Sequence, residues 1–145
     1  MEKPWIDSFN AGIFTEFQEQ RSPGHTAGGD LIYKKGFSDL KTDIAQHLEN
    51  INFFADNKAL EKQEVLKSLD IAADALIIFA SRHADELENM AKKEKNFQRQ
   101  IELKNMAQVC RRIPANRPET FHEALQYYWF LHVGIITELN PSLRL

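Results

Sequence analysis

From about Glu61, apolar residues and one histidine return at three- and four-residue steps: Val65, Leu69, Ala72, Leu76, Phe79, His83 and Leu87. That period predicts a long helix with one buried face, and no Gly or Pro interrupts it before Pro114. The charge cluster Lys92-Lys93-Glu94-Lys95 predicts a turn, after which Phe97, Ile101, Ala107, Cys110 and Ile113 continue a second helix. A connection this short makes the pair antiparallel. Residues 61–113 therefore read as a helical hairpin. Upstream, Ser38 or Asp39 can cap a helix carrying Leu40, Ile44, Leu48 and Ile51 on one face. Residues 4–20 mix Trp5, Ile6, Phe9, Ile13, Phe14 and Phe17 at helix-compatible spacings.

Pro114 and Pro118 bracket a break, and Thr120 and Glu123 then stand at the spacing of a capping box, in which each side chain satisfies the other's backbone donor. The helix that starts there, residues 120–138, has Tyr127, Tyr128, Trp129, Phe130 and Leu131 in succession, so apolar side chains point all the way round. Such a helix calls for cover on every side. A 145-residue chain with three or four other helices has little material with which to supply it. Between the helices, residues 21–36 are set apart by composition: RSPGHTAGGD with Gly36 holds four of the six glycines and reads as a loop. The fold class is mainly α.

Length and apolar content are those of one domain able to bury a core. With 18 Lys+Arg against 21 Asp+Glu there is no global basic field to attract nucleic acid or an anionic membrane. The most apolar stretch, Phe121 to Ile136, is broken by polar residues and falls short of a membrane span. The N-terminus lacks the basic and apolar regions of a signal peptide. Cys110 is the single cysteine and cannot form an internal disulfide. A reducing, cytoplasmic setting is expected.

The five histidines show no i, i+3 or i, i+4 pairing of the kind helical metal ligands use, so no metal site is expected. His83 and His132 sit on apolar helix surfaces as packing residues, His47 faces solvent, and His122 falls in a first helical turn. His25 stands apart in a Pro-Gly turn beside Arg21, Thr26 and Asp30, where glycines let backbone pass close to a ligand or simply shape a turn. The segment has neither dinucleotide nor phosphate-loop spacing. Arg111 and Arg112 could activate the Cys110 thiol, but its helical phase points it into a core. The aromatic run of the last helix suits core packing better than cofactor stacking.

The stretch GIFTEFQEQRSPGHTAGGDLIYKKGFSDLKTDI, residues 12–44, resembles a segment of the glycyl radical enzymes, the pyruvate formate-lyase-like superfamily, in particular its 4-hydroxyproline dehydratase and glycerol dehydratase branches. AQVCRRIPANRPETFHEALQYYWFLHVGIITELN, residues 107–140, resembles the family segment that follows. The resemblance implies that residues 1–145 are a partial pyruvate formate-lyase-like domain. It would be a helical segment of an α/β barrel fold, with the barrel mostly absent. It further implies a lyase or dehydratase of a small hydroxylated substrate, or a formate acetyltransferase-like activity. Its glycyl radical would be installed by an S-adenosylmethionine-dependent activating enzyme, in a homodimer when full length.

Neither the thiyl cysteine loop nor the radical glycine motif is recognisable here, so the expectation is a fragment inactive alone, without a catalytic residue or bound cofactor of its own. The ending Pro-Ser-Leu-Arg-Leu departs from the family pattern after Asn140, as a truncation would. By position, His25 and Phe17 match substrate-pocket residues of the dehydratase branches: the histidine holds or polarises a substrate hydroxyl and the aromatic packs on the substrate. The alternative is a free-standing helical binding or regulatory module. The two differ in whether the last helix is covered within the chain.

Overall fold

The computed structural model describes residues 3–11 and 28–139. Six helices are present among them: α1 Lys3–Asn10, α2 Leu31–Lys34, α3 Phe37–Glu49, α4 Ala59–Lys93, α5 Phe97–Arg112 and α6 Phe121–Leu139. No strand occurs among the described residues, in keeping with the mainly α reading. The helical stretch expected over 4–20 is described only as far as Ala11.

The frame is α4, whose 35 residues extend about 52 Å at ~1.5 Å per residue. Its middle and C-terminal half pack with α5 and α6 in one core, and its N-terminal half packs against α3. The turn between α4 and α5 follows from local chemistry. Glu94 accepts the Lys95 and Asn96 N–H groups at 2.7 and 2.8 Å, and Asn96 caps α5 by accepting the Arg99 N–H at 3.0 Å. Gln100 then reaches back to the Ala91 carbonyl at 3.0 Å, and Arg111 pairs with Asp85 and Glu88, so the two helices run antiparallel. Between α3 and α4, Asn52 accepts the Phe54 and Ala55 N–H groups, and Lys41 bridges to Asp70 and Asp74 at 2.7 and 2.8 Å.

The buried line along α4 differs from the one its large residues suggest. Ala59, Ala73, Ala80, Ala84 and Ala91 are the buried positions, while Val65 and Leu69 are more than half exposed. The seam lies one position over from Ala72, Phe79 and His83, a rotation of about 100°. Alanines let α5 come close enough to insert Leu103, Ala107 and Cys110, and the larger residues flank the seam. Phe97, placed on the buried face by its spacing, is three-quarters exposed at the start of α5.

The core joins Ile32, Ala80, Ala84, Ala107, Cys110, Ile113, Tyr127 and Phe130. Cys110 is buried, and burial pushes its thiol up, away from the reactive thiolate. His47 is exposed, as expected. His83 is a packing residue: its Nδ1 lies 3.0 Å from the Phe79 carbonyl and its ring meets Phe79, Trp129 and Phe130 edge-on. His132 is exposed and stacks on Tyr128.

On α6, Glu123, Tyr127 and Phe130 are buried, and Phe121, Leu125 and Trp129 are 79%, 53% and 43% exposed. Among the described residues the all-round cover its sequence calls for is not supplied: Tyr127 and Phe130 join the core with residues of α2, α4 and α5, and the stripe of Phe121, Leu125 and Trp129 stays open. Replacing Ala84, which is fully buried in the core cluster, with Leu is expected to cost about 2–3 kcal/mol through overpacking. Replacing exposed Ala72 on the same helix should change stability by no more than about 0.5 kcal/mol. Urea unfolding of the two variants checks this.

Candidate functional site

His25 and Phe17, the two residues assigned to substrate contact, lie outside the described residues, and so do residues 21–27 of the Gly-rich segment 21–36. What the structure shows is the base on which that segment is mounted, residues 28–38, where the loop reading meets a helical turn at Leu31–Lys34.

The segment enters the described fold through a Gly-Gly turn. Gly28 and Gly29 have φ of +73° and +56°, the left-handed region that favours glycine. At Gly28 a Cβ would stand 2.4 Å from Ile32 Cγ2 and 3.4 Å from Leu131 Cδ2, so the turn is pressed against α2 and the flank of α6. Ile32 is buried and drives α2 into the core. Asp30 and Lys34 form an ion pair across the exposed side of this turn.

It leaves α2 through a second contact, made with the distant connection between α5 and α6. The Phe37 and Ser38 N–H groups donate to the Pro114 and Ala115 carbonyls, each at 2.9 Å. Gly36 makes this approach possible, since a Cβ there would lie 2.2 Å from the Ala115 oxygen and 2.4 Å from Asn116 Cα. The Asp39 carboxylate accepts the Gly36 N–H at 3.0 Å. Asp39 thus serves α3 from its third position, with Gly36 as the cap, where the sequence suggests Ser38 or Asp39 as the cap itself.

A third tie comes from α6. The Tyr127 hydroxyl donates to the Lys35 carbonyl at 3.2 Å, and its ring lies 5.6 Å from that of Phe37. Tyr127 is fully buried, and burial, helped by the charge of Asp39, pushes its phenol up to about 12. It therefore stays a protonated donor throughout the physiological range. Sequence reasoning took Tyr127 for core and Gly36 for the end of a loop. The signal that could have found the contact was the pairing of an isolated glycine with a proline-bracketed break, two features that a helical frame must place somewhere.

The partner strip is itself held rigid. Pro114 ends α5, with the Ile113–Pro114 peptide cis. Glu123 then gathers the Glu119 N–H at 2.7 Å, the Thr120 N–H at 3.2 Å and Arg112 Nη1 at 2.6 Å, while Thr120 Oγ1 accepts the Glu123 N–H at 3.2 Å. This is the capping box the sequence predicts, with an arginine added. Burial of Glu123 works against its charge, but the donors of Glu119, Arg112 and Thr120 prevail and hold its carboxyl below the ordinary value.

Among the described residues no group of three or more His, Cys, Asp or Glu is placed to hold a metal ion. None of the described helices is long and apolar enough to cross a membrane. What the geometry does is mechanical: three separate contacts fix both ends of α2, and with them the point where the Gly-rich segment joins the bundle.

A family profile described as pyruvate formate lyase-like matches residues 1–144. The chain is 46% identical over 140 residues to trans-4-hydroxy-L-proline dehydratase of Clostridioides difficile, a match covering 97% of this chain and 18% of that enzyme. It is 34% identical over 104 residues to an isethionate sulfite-lyase of Nitratidesulfovibrio vulgaris, covering 72% of this chain and 13% of that one. Among solved structures, the hydroxyproline dehydratase of Clostridioides difficile with trans-4-hydroxy-L-proline bound superposes with a TM-score of 0.78 at 45% identity, covering 95% of this chain and 18% of that chain. The chain thus spans less than a fifth of the length of these relatives.

Proposed function

Because this chain belongs to the pyruvate formate lyase-like family of glycyl radical enzymes, we propose that it is the substrate-loop mount of a dehydratase acting on a small hydroxylated compound such as trans-4-hydroxy-L-proline or glycerol. The observation that carries this reading is the 46% identity to a hydroxyproline dehydratase over 97% of the chain, which includes the whole Gly-rich segment. In it, His25 donates to or polarises the hydroxyl that leaves, and Phe17 packs against the substrate's carbon frame. Holding the hydroxyl in one orientation lowers the barrier to its departure, because the hydrogen bond strengthens as negative charge grows on the oxygen. The mount supplies the fixed end from which His25 is presented.

In the whole enzyme a glycyl radical, installed by an S-adenosylmethionine-dependent activating enzyme, would supply through a cysteine thiyl the abstraction of hydrogen from the carbon beside the hydroxyl. The described cysteine does not fit the thiyl role: Cys110 is enclosed in the helical core with its thiol pushed up by burial. No radical step is routed through the described residues. The activating enzyme, a homodimeric assembly and a cytoplasmic setting belong to the same proposal for the whole enzyme.

The test grafts this chain into the Clostridioides difficile dehydratase in place of its matching segment. His25→Ala in the graft is expected to lower kcat/KM by about 10- to 100-fold or more, the scale of one lost substrate hydrogen bond of about 1–3 kcal/mol. Stability should move by no more than about 0.5 kcal/mol, since a loop residue adds little core packing. Unchanged kinetics in the folded variant, or activity lost only in proportion to stability, would remove His25 from the substrate site and Phe17 with it.

A further inference from the structure

We propose that the exposed stripe Phe121, Leu125 and Trp129 of α6 is the docking surface through which this segment packs on the remaining portion of a pyruvate formate lyase-like chain. The proposal rests on family membership and is independent of the role of His25.

The three residues recur at i, i+4 and i+8, so they lie along one side of the helix, opposite buried Tyr127 and Phe130. From Ala124 to Thr137 the sequence has no charged residue. A solvated helix face ordinarily carries charge, and depletion of charge with enrichment in Trp, Tyr and Phe marks the buried centre of an obligate interface. The stripe is also preset. The Trp129 ring meets His83 at 5.6 Å and Phe130 at 5.2 Å, both edge-on, and these contacts hold its position before anything covers it. A large aromatic whose rotamer is already fixed loses little entropy on burial, which is how interface anchors behave.

What covers it is indicated by length. The same helical arrangement recurs at a TM-score of 0.78 inside a chain of which this one spans 18%, so more than four-fifths of that enzyme lies outside the matched segment. Among the described residues, the buried contacts of α6 fall on the side of Tyr127, Phe130 and Gly134, through Phe79 and His83 of α4, Leu76 and Phe37, and Trp129 sits at their edge against His83. The opposite side is left for the rest of the fold. A second copy of this chain is the competing occupant, and the experiment separates the two.

Hydroxyl-radical footprinting read by mass spectrometry is applied to this chain alone and to the graft in the Clostridioides difficile dehydratase. Trp129, Leu125 and Phe121 should label at least about tenfold faster in the chain alone, whereas Tyr127 and Phe130 should be protected in both. Equal labelling of the stripe in the two samples overturns the proposal. So does a dimer of the isolated chain, seen by sedimentation velocity, that protects the stripe as concentration rises. If the graft does not assemble, the intact Clostridioides difficile enzyme is labelled instead, and exposure of the residues matched to Leu125 and Trp129 there overturns the proposal equally. Failure of His25→Ala to affect turnover leaves these outcomes untouched.

Discussion

Gly36→Ala is expected to destabilise this chain by about 3 kcal/mol, a fall of roughly 10 °C in Tm for a domain of this size. Its φ of −87° is open to any residue, so backbone preference is not the cause. The cause is contact: the added carbon would sit 2.2 Å from the Ala115 oxygen and 2.4 Å from Asn116 Cα and carbonyl carbon, all main-chain atoms that no rotamer change can move. Relief requires α3 to back away from the 114–116 strip, which breaks the two 2.9 Å bonds from Phe37 and Ser38, each worth about 1 kcal/mol. Gly29→Ala is the contrast. Nothing lies within 4 Å of its Cβ position, so only its φ of +56° opposes the change, at a cost of about 1–2 kcal/mol. Urea unfolding followed by far-ultraviolet circular dichroism measures both. Equal midpoints for Gly36→Ala and the parent chain would mean that the strip yields freely and is no clamp.

The consequence for function is positional. In the grafted dehydratase, Gly36→Ala should damage turnover even where the enzyme still folds, because the joint it displaces sets where the Gly-rich segment begins. Tyr127→Phe tests the same mount more gently. It keeps the buried ring and its contact with Phe37 and removes only the hydrogen bond to Lys35, for a cost of about 1 kcal/mol.

How much of this could be read from sequence depended on how local the cause was. The capping box at Thr120 and Glu123 and the turn at Glu94 are fixed by side chains within a few residues of the groups they satisfy, and both were legible. The long α4 was legible for the same reason, since its period is a local property. Its buried line was not. Ala73, Ala80 and Ala84 carry almost no hydrophobic signal, and their burial depends on how closely α5 approaches, which is a property of the pair of helices. The tie between Tyr127 and Lys35 spans 92 positions, and nothing near either residue announces the other. Family resemblance supplied His25 and Phe17, and their role remains a proposal that the graft decides.

Removing the Glu123 carboxylate should cost nearly as much as filling the Gly36 contact. Glu123→Ala removes a buried carboxylate, leaves the Glu119 and Thr120 N–H groups without their acceptor and leaves Arg112 with Glu119 alone. Unsatisfied donors and a half-stripped charge of this kind cost about 3 kcal/mol. The same network predicts a pH dependence of definite sign. The folded-state carboxyl of Glu123 titrates below its ordinary value of 4.5, because the donors around it favour the ionised form more than burial disfavours it. Its contribution is therefore complete above pH 4.5, the unfolded value, and is lost as pH falls through the lower folded value. The parent chain should lose this increment on acidification, and Glu123→Ala has none to lose, so the gap between their unfolding free energies should narrow below about pH 4. Asp30 and Asp56, whose carboxyls are also held low by lysine partners, add to the acid sensitivity of both proteins and cancel in the comparison. A gap that stays constant from pH 7 to pH 3 would show that the donors hold Glu123 equally well when it is protonated, and that its charge plays no part in starting α6.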